Sequence, residues 1–229
     1  MSLNNDRVFY KERLMQNIDF MNDFFLKHEM NWTFVIKAFH AYPNNFIEEL
    51  SDLNCLSIAS DNEAHLEILK QRNPNIETWF LNYFGVKQTN DFIDVNLTHS
   101  NEFLPENTCL MISLDSERDG IDFNPNFSCK KYGAYLDCSK LPDLKLFDEW
   151  ANFKISPETT QSLGTSISFD KIDFLKSKGV NHFRLGEIVL TGRSLINGSR
   201  IKGLRDDVFS NKKNVSYQII SNLKKIKCV

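Results

Sequence analysis

A chain of 229 residues, 41% hydrophobic and 25% charged, has the composition of a soluble globular protein, and its length fits one large α/β domain or two small ones. A formal net charge of -3 and a pI near 6.0 offer no basic face to nucleic acid. No apolar run is long enough to cross a bilayer, the N-terminus carries no signal-peptide core, and the five cysteines are odd in number without paired spacing, so reduced thiols, no metal site and a cytoplasmic protein are expected.

In chain order, Leu14, Ile18, Met21, Phe24 and Phe25 recur at the three-four spacing of an amphipathic helix, from about Tyr10 to His28. Trp32 to Lys37 is an apolar, partly β-branched run and reads as a buried first strand. A helix starts at Pro43 and Asn44 with Phe46, Ile47 and Leu50 on one face, and Cys55–Ala59 is a second strand. Ser60 and Glu63 have capping-box spacing, with Ser60 at the cap of a helix reaching about Gln71. Four strands follow at Thr78–Leu81, Phe92–Leu97, Cys109–Leu114 and Tyr132–Leu136, and a seventh is read at Asn152–Ser156. A helix holding Ile172, Phe174 and Leu175 leads through Gly179 to an eighth strand, His182–Leu185. Thr191 to Leu204 is a turn-rich connector, and Val215 to Ile226 is a lone strand or a frayed helix before a lysine-rich end.

Eight short strands alternating with helical or loop segments predict an α/β fold: a trimmed (β/α)8 TIM-type barrel of parallel strands. An open doubly wound sheet is the alternative, but no glycine-rich dinucleotide fingerprint follows any strand. Residues 1–209 form the barrel in this reading and 210–229 a short C-terminal extension.

Side chains at the C-terminal ends of barrel strands point into the mouth, where chemistry is carried out. Lys37 ends the first strand, and burial can turn a lysine there into a Schiff-base nucleophile; the plainer reading is a lysine that marks the strand end in water. Gln161 to Ser168 brings four hydroxyls and a glycine before a helix, which makes either a phosphate cradle or an ordinary serine-rich cap. Arg184 belongs to the mouth end of the last strand or to a surface ion pair, and Gly186 would let a ligand approach the backbone. Arg118, in the charged turn after the fifth strand, either looks into the mouth or solvates its loop. An amine, an anion cup and a group facing a ring nitrogen are together what pyridoxal 5'-phosphate requires.

The stretch Val35-Ile36-Lys37-Ala38 with Tyr42-Pro43 resembles the lysine strand of the alanine-racemase-type (fold type III) pyridoxal phosphate proteins. Arg118-Asp119-Gly120-Ile121 is similar to their arginine-x-glycine turn, and Phe183 to Gly192 resembles their last barrel strand. Ile201 to Phe209 looks most like the ornithine-racemase branch. The resemblance implies a Schiff base and an acid/base role for Lys37, and Arg184 facing the pyridine nitrogen. It implies phosphate contacts from the Ser162, Thr165 and Ser166 hydroxyls and from the Gly186 and Glu187 backbone. Arg118 would lie near the cofactor's phenolic oxygen or the substrate carboxylate.

Family racemases carry a β-rich second domain that supplies the second acid/base, and this chain stops about where that domain begins. Tyr42, Tyr135, Cys138 and His40 are the candidates left for a second group, each reading more simply as core or loop. The expected function is a pyridoxal phosphate-dependent racemase acting on a small-molecule amino acid, with no nucleic acid or membrane partner, as a homodimer. The alternatives are a non-catalytic cofactor-homeostasis protein on the same barrel and a binding module whose site has decayed.

Overall fold

The computed structural model describes residues 7–40, 42, 44–82, 90–98, 108–112, 131–136, 159–165, 169–194, 197–211 and 226–227. It opens with a short strand, β1 (Arg7–Phe9), and helix α1 (Lys11–Lys27). Leu14, Ile18, Met21 and Phe25 lie on the buried face of α1, as the spacing predicts; Phe24 is half-buried, and Asn17 joins the buried face.

Eight parallel strands follow: β2 (Asn31–Val35), β3 (Ser57–Ser60), β4 (Glu77–Asn82), β5 (Val95–Thr98), β6 (Thr108–Ile112), β7 (Lys131–Leu136), β8 (Thr160–Thr165) and β9 (His182–Leu185). Each pairs with the next, and β9 pairs back with β2, so the ladder closes. Alternation along the strands divides their side chains between two cores. Trp32, Phe34, Ile58, Leu163, Phe183 and Leu185 pack outward with Leu14, Ile18 and Phe25 of α1. Val35, Ala59, Trp79, Leu81, Val95, Leu97 and Cys109 form a separate cluster inside the ring.

The described connections are a 3-10 turn (Lys37–Phe39) and α2 (Asn44–Leu50) after β2, α3 (Glu63–Arg72) after β3, α4 (Ile172–Ser177) before β9 and α5 (Glu187–Thr191) after it. β1 lies between β10 (Phe209–Asn211) and β11 (Ile226–Lys227) in a small antiparallel sheet outside the ring. No helix among the described residues is long and apolar enough to cross a membrane.

Four local expectations are corrected. Residues 160–165, read as a hydroxyl-rich loop, are strand β8, with Leu163 in the outer core; the strand read at Asn152–Ser156 lies outside the described residues. The first strand ends at Val35, and Lys37 opens the 3-10 turn, because Phe39 turns in to pack on Phe9, Phe46 and Phe209. Asn62, not Ser60, caps α3: its side chain accepts from the Ala64 N–H, while the Ser60 hydroxyl accepts from the Asn62 N–H. Residues 187–191, read as part of the last strand's motif, are helical, with the left-handed Gly192 as C-cap. Cys55 and Cys109 are buried, and burial pushes the Cys55 thiol up to about 12; Cys129, Cys138 and Cys228 lie outside the described residues.

Candidate functional site

Parallel strands place their C-terminal ends on one rim. Register sets Phe34 beside Leu185 and Gly164 beside Arg184, so β8, β9 and β2 are consecutive staves of that rim. Lys37, two residues past the end of β2, is exposed there. Thr165 ends β8 at the same rim, and Gly186 and Glu187 follow the end of β9. Gly186 is a glycine for a different reason from the one the sequence suggests: a Cβ on it would come 2.7 Å from the Val35 carbonyl oxygen. The close approach is therefore made by the backbone of β2. Glu187 is the exposed first residue of α5. Ser166 and Arg118 lie outside the described residues.

Arg184 is buried inside the ring rather than engaged in a surface pair. Its Nη1 donates to the Ser162 carbonyl at 2.8 Å and to the Ser162 hydroxyl at 2.6 Å. Gly164 makes room for it, since a Cβ there would sit 2.7 Å from Arg184 Nη2. Ser162 is thus a support for the guanidinium, fully buried, and not a hydroxyl presented at the rim.

Below Arg184 the interior is polar. Ser162 Oγ lies 2.7 Å from His182 Nδ1, and His182 Nε2 lies 3.0 Å from Thr33 Oγ1. Thr33 meets the Ser57 hydroxyl at 2.7 Å, and Ser57 donates to Glu77 Oε2 at 3.1 Å. Glu77 also accepts from Trp79 Nε1 and Lys131 Nζ, both at 2.8 Å. Trp79 stacks on the His182 ring, centroids 4.7 Å apart. Ser57, Glu77, Lys131 and His182 are the first residues of β3, β4, β7 and β9, toward the floor of the ring, and Thr33 stands in the middle of β2. Sequence reading missed them; their only trace is a polar residue two positions before an inward apolar or charged one, as in Thr33-x-Val35, Ser57-x-Ala59, Glu77-x-Trp79 and His182-x-Arg184.

Burial, reinforced by the charges of Arg184 and Lys131, holds the His182 imidazole well below its ordinary range. His65, buried on α3 at the other side of the Lys37 turn, is lowered by burial and by His40. Burial pushes the Glu77 carboxyl up, but hydrogen bonds from Lys131, Trp79 and Ser57 outweigh it, and the net shift is downward. Depressed imidazoles make the unfolded chain the stronger proton binder below its own pKa of about 6.5. Stability is then complete above that pH and declines as pH falls through the folded values. The unfolding free energy from urea titrations is expected to drop between pH 7 and pH 5, by up to about 1.4 kcal/mol per pH unit for each proton so linked. His182→Gln should flatten that slope, and an unchanged slope would contradict the assignment. The Glu77 contribution is lost in a separate window, below its unfolded value of about 4.5.

Of the four candidates for a second acid/base, Tyr42 packs against Phe39 and Phe46, and His40 is exposed beside Asp61, with Nδ1 3.4 Å from Oδ1. The Tyr135 side chain and Cys138 lie outside the described residues.

No family model and no curated protein matches the chain in sequence. Among solved structures its parallel barrel-like sheet has neighbours in the fold type III pyridoxal phosphate family. In particular, the chain is similar to alanine racemase from Oenococcus oeni, with a TM-score of 0.62 and 15% identity over 89% of this chain and 68% of that one. Alanine racemase from Bartonella henselae, solved with covalently bound pyridoxal phosphate, gives 0.60 and 16% over 87% of this chain and 66% of that one. Carboxynorspermidine decarboxylase from Campylobacter jejuni, complexed with norspermidine, gives 0.55 and 12% over 80% and 59%. At these identities the likeness is one of fold, and the chain spans about two thirds of the racemases' length.

Proposed function

We propose that this chain binds pyridoxal 5'-phosphate covalently through Lys37, on a trimmed (β/α)8 TIM-type barrel, and moves a proton at the α-carbon of an amino acid, as a racemase of the ornithine-racemase type. The observation that carries the reading is the adjacency of β8, β9 and β2, which sets an exposed amine just past the end of one strand and a buried, hydrogen-bonded guanidinium on the strand paired with it.

The residues fit the cofactor. Gly164 leaves the space that lets Arg184 lie across β8, and Ser162 pins it. Bound there, pyridoxal phosphate supplies the electron sink that makes an amino acid's α-hydrogen acidic. Lys37 would hold the cofactor through its amine and serve as an acid/base for the proton at the substrate's α-carbon. Arg184, a permanent cation with no acceptor, keeps the ring nitrogen unprotonated. Thr165, Ser166 and the backbone N–H groups of Gly186 and Glu187 would hold the phosphate, and Arg118 would meet the substrate carboxylate or the phenolic oxygen. Ser162 takes the supporting role instead of a phosphate contact. The working unit is a cytoplasmic homodimer that takes a free amino acid and neither nucleic acid nor membrane.

Adding pyridoxal phosphate to the purified protein should produce a visible absorption band. Borohydride should bleach it and leave the added mass on the peptide containing Lys37, and Lys37→Ala should show neither band nor mass. A protein that stays colourless would end the proposal. Exchange of an amino acid's α-hydrogen in heavy water then separates a racemase from a cofactor carrier on the same barrel.

A further inference from the structure

The hydrogen bonds beneath Arg184 have only one consistent direction, and it follows from counting hydrogens. Arg184 can only donate. The Ser162 hydroxyl accepts from it at 2.6 Å, so its single hydrogen is free to point at His182 Nδ1, 2.7 Å away. With Nδ1 accepting, the neutral ring carries its hydrogen on Nε2 and donates to Thr33 Oγ1 at 3.0 Å. Thr33 then donates to Ser57 Oγ at 2.7 Å, and Ser57 to Glu77 Oε2 at 3.1 Å. An ionised carboxylate can only accept. Run the other way, the chain would leave Ser57 facing Glu77 with no hydrogen between the oxygens. The anion at one end thus imposes the order, and the cation at the other end is compatible with it.

We propose that Arg184, Ser162, His182, Thr33, Ser57 and Glu77 form one unidirectional hydrogen-bond relay that locks His182 in its Nε2–H tautomer and makes it a positioning residue for the Arg184 guanidinium. The relay joins β9, β8, β2, β3 and β4 across the ring interior. Trp79 stacks on the imidazole within 10° of parallel and donates to the same Glu77 oxygen as Ser57, so the ring cannot turn over without breaking that stack. Among the described residues the charged groups around His182 are Arg184 at one end and Glu77 with Lys131 at the other; both cations disfavour a second proton on the ring. A protonated imidazole would donate from both nitrogens and leave the Ser162 hydroxyl two donors to accept and no acceptor for its own hydrogen in the relay. The positioning role rests on the proposed cofactor reading; the relay itself does not.

Nitrogen-15 spectra of the histidine-labelled, cofactor-free protein test the relay. The His182 ring should show a protonated Nε2 and a bare Nδ1 at pH 7. Thr33→Val removes the acceptor for Nε2–H at constant volume and should move the proton largely to Nδ1; Thr33→Ser should restore the original pattern. Ser57→Ala breaks the chain one link further on and provides the same reading should the valine variant fold poorly. A wild-type ring protonated on Nδ1 or on both nitrogens would overturn the relay, as would a tautomer unmoved by both broken-chain variants. The positioning role predicts about tenfold weaker pyridoxal phosphate uptake in Thr33→Val, the scale of one misplaced charge-assisted hydrogen bond, with recovery in Thr33→Ser. A shifted tautomer with unchanged uptake would overturn positioning and leave the relay standing. A wild type that takes up no cofactor would overturn the proposed function while the spectra still decide the relay.

Discussion

Asn17→Leu is expected to lower folding stability by about 2 to 5 kcal/mol, although it replaces a fully buried polar side chain with an apolar one of similar size. Asn17 lies in the buried face of α1, where the spacing asks for an apolar residue. Its Nδ2 donates to the Val189 carbonyl at 2.7 Å and the Arg205 carbonyl at 2.9 Å, and its Oδ1 accepts from the Arg205 N–H at 2.6 Å. Leucine would gain apolar burial but leave three main-chain groups without that partner. Each such group costs roughly 1 to 3 kcal/mol when buried, so the loss exceeds the gain. The midpoint of urea unfolding measures it, and an unchanged midpoint would mean those groups find other partners. The effect bears on the site because the clamp holds α5, whose first residue follows Gly186 at the rim.

The second large effect is expected from Gly192→Ala, at about 2 to 4 kcal/mol. Gly192 caps α5 with φ 62°, a conformation that L side chains rarely adopt, and an added Cβ would overlap the Arg205 carbonyl. The obstacle is main chain, which cannot rotate aside as a side chain can. Both substitutions act on Arg205, so their costs should not add: once the Arg205 segment has lifted from α1, the alanine meets less resistance. The double variant should therefore lose less than the sum of the two single losses. Strict additivity would show that Asn17 and Gly192 hold the segment independently.

Much of the fold was legible because it rests on local patterning. The α1 stripe from Leu14 to Phe25 and seven of the barrel strands follow from apolar periodicity and turn residues, which act over a few positions. The seventh strand of the ring, β8, shows the limit. Gln161 to Thr165 is rich in hydroxyls and glycine, and those residues read as a loop until β7 and β9 flank them on both sides. Ser162 and Gly164 face inward there because Arg184 needs an acceptor and space; neither need is visible from their neighbours in the chain. Lys37 and Arg184 could be picked out of the sequence as residues near strand ends, but the turn that carries Lys37 is set by Phe39 packing on Phe9, Phe46 and Phe209, contacts distant in sequence.

By itself the sequence determined that this is a chain of alternating short strands and helices, with an amine and an arginine near the ends of two of those strands. Only the tertiary structure decided that those two strands are neighbours, that the hydroxyl-rich stretch is a stave supporting the arginine, and that a buried histidine joins Thr33 to Ser162. The physical reason is range. Side-chain periodicity is written residue by residue, whereas Thr33 and His182 stand 149 positions apart, and their hydrogen bond exists only once the ring has closed.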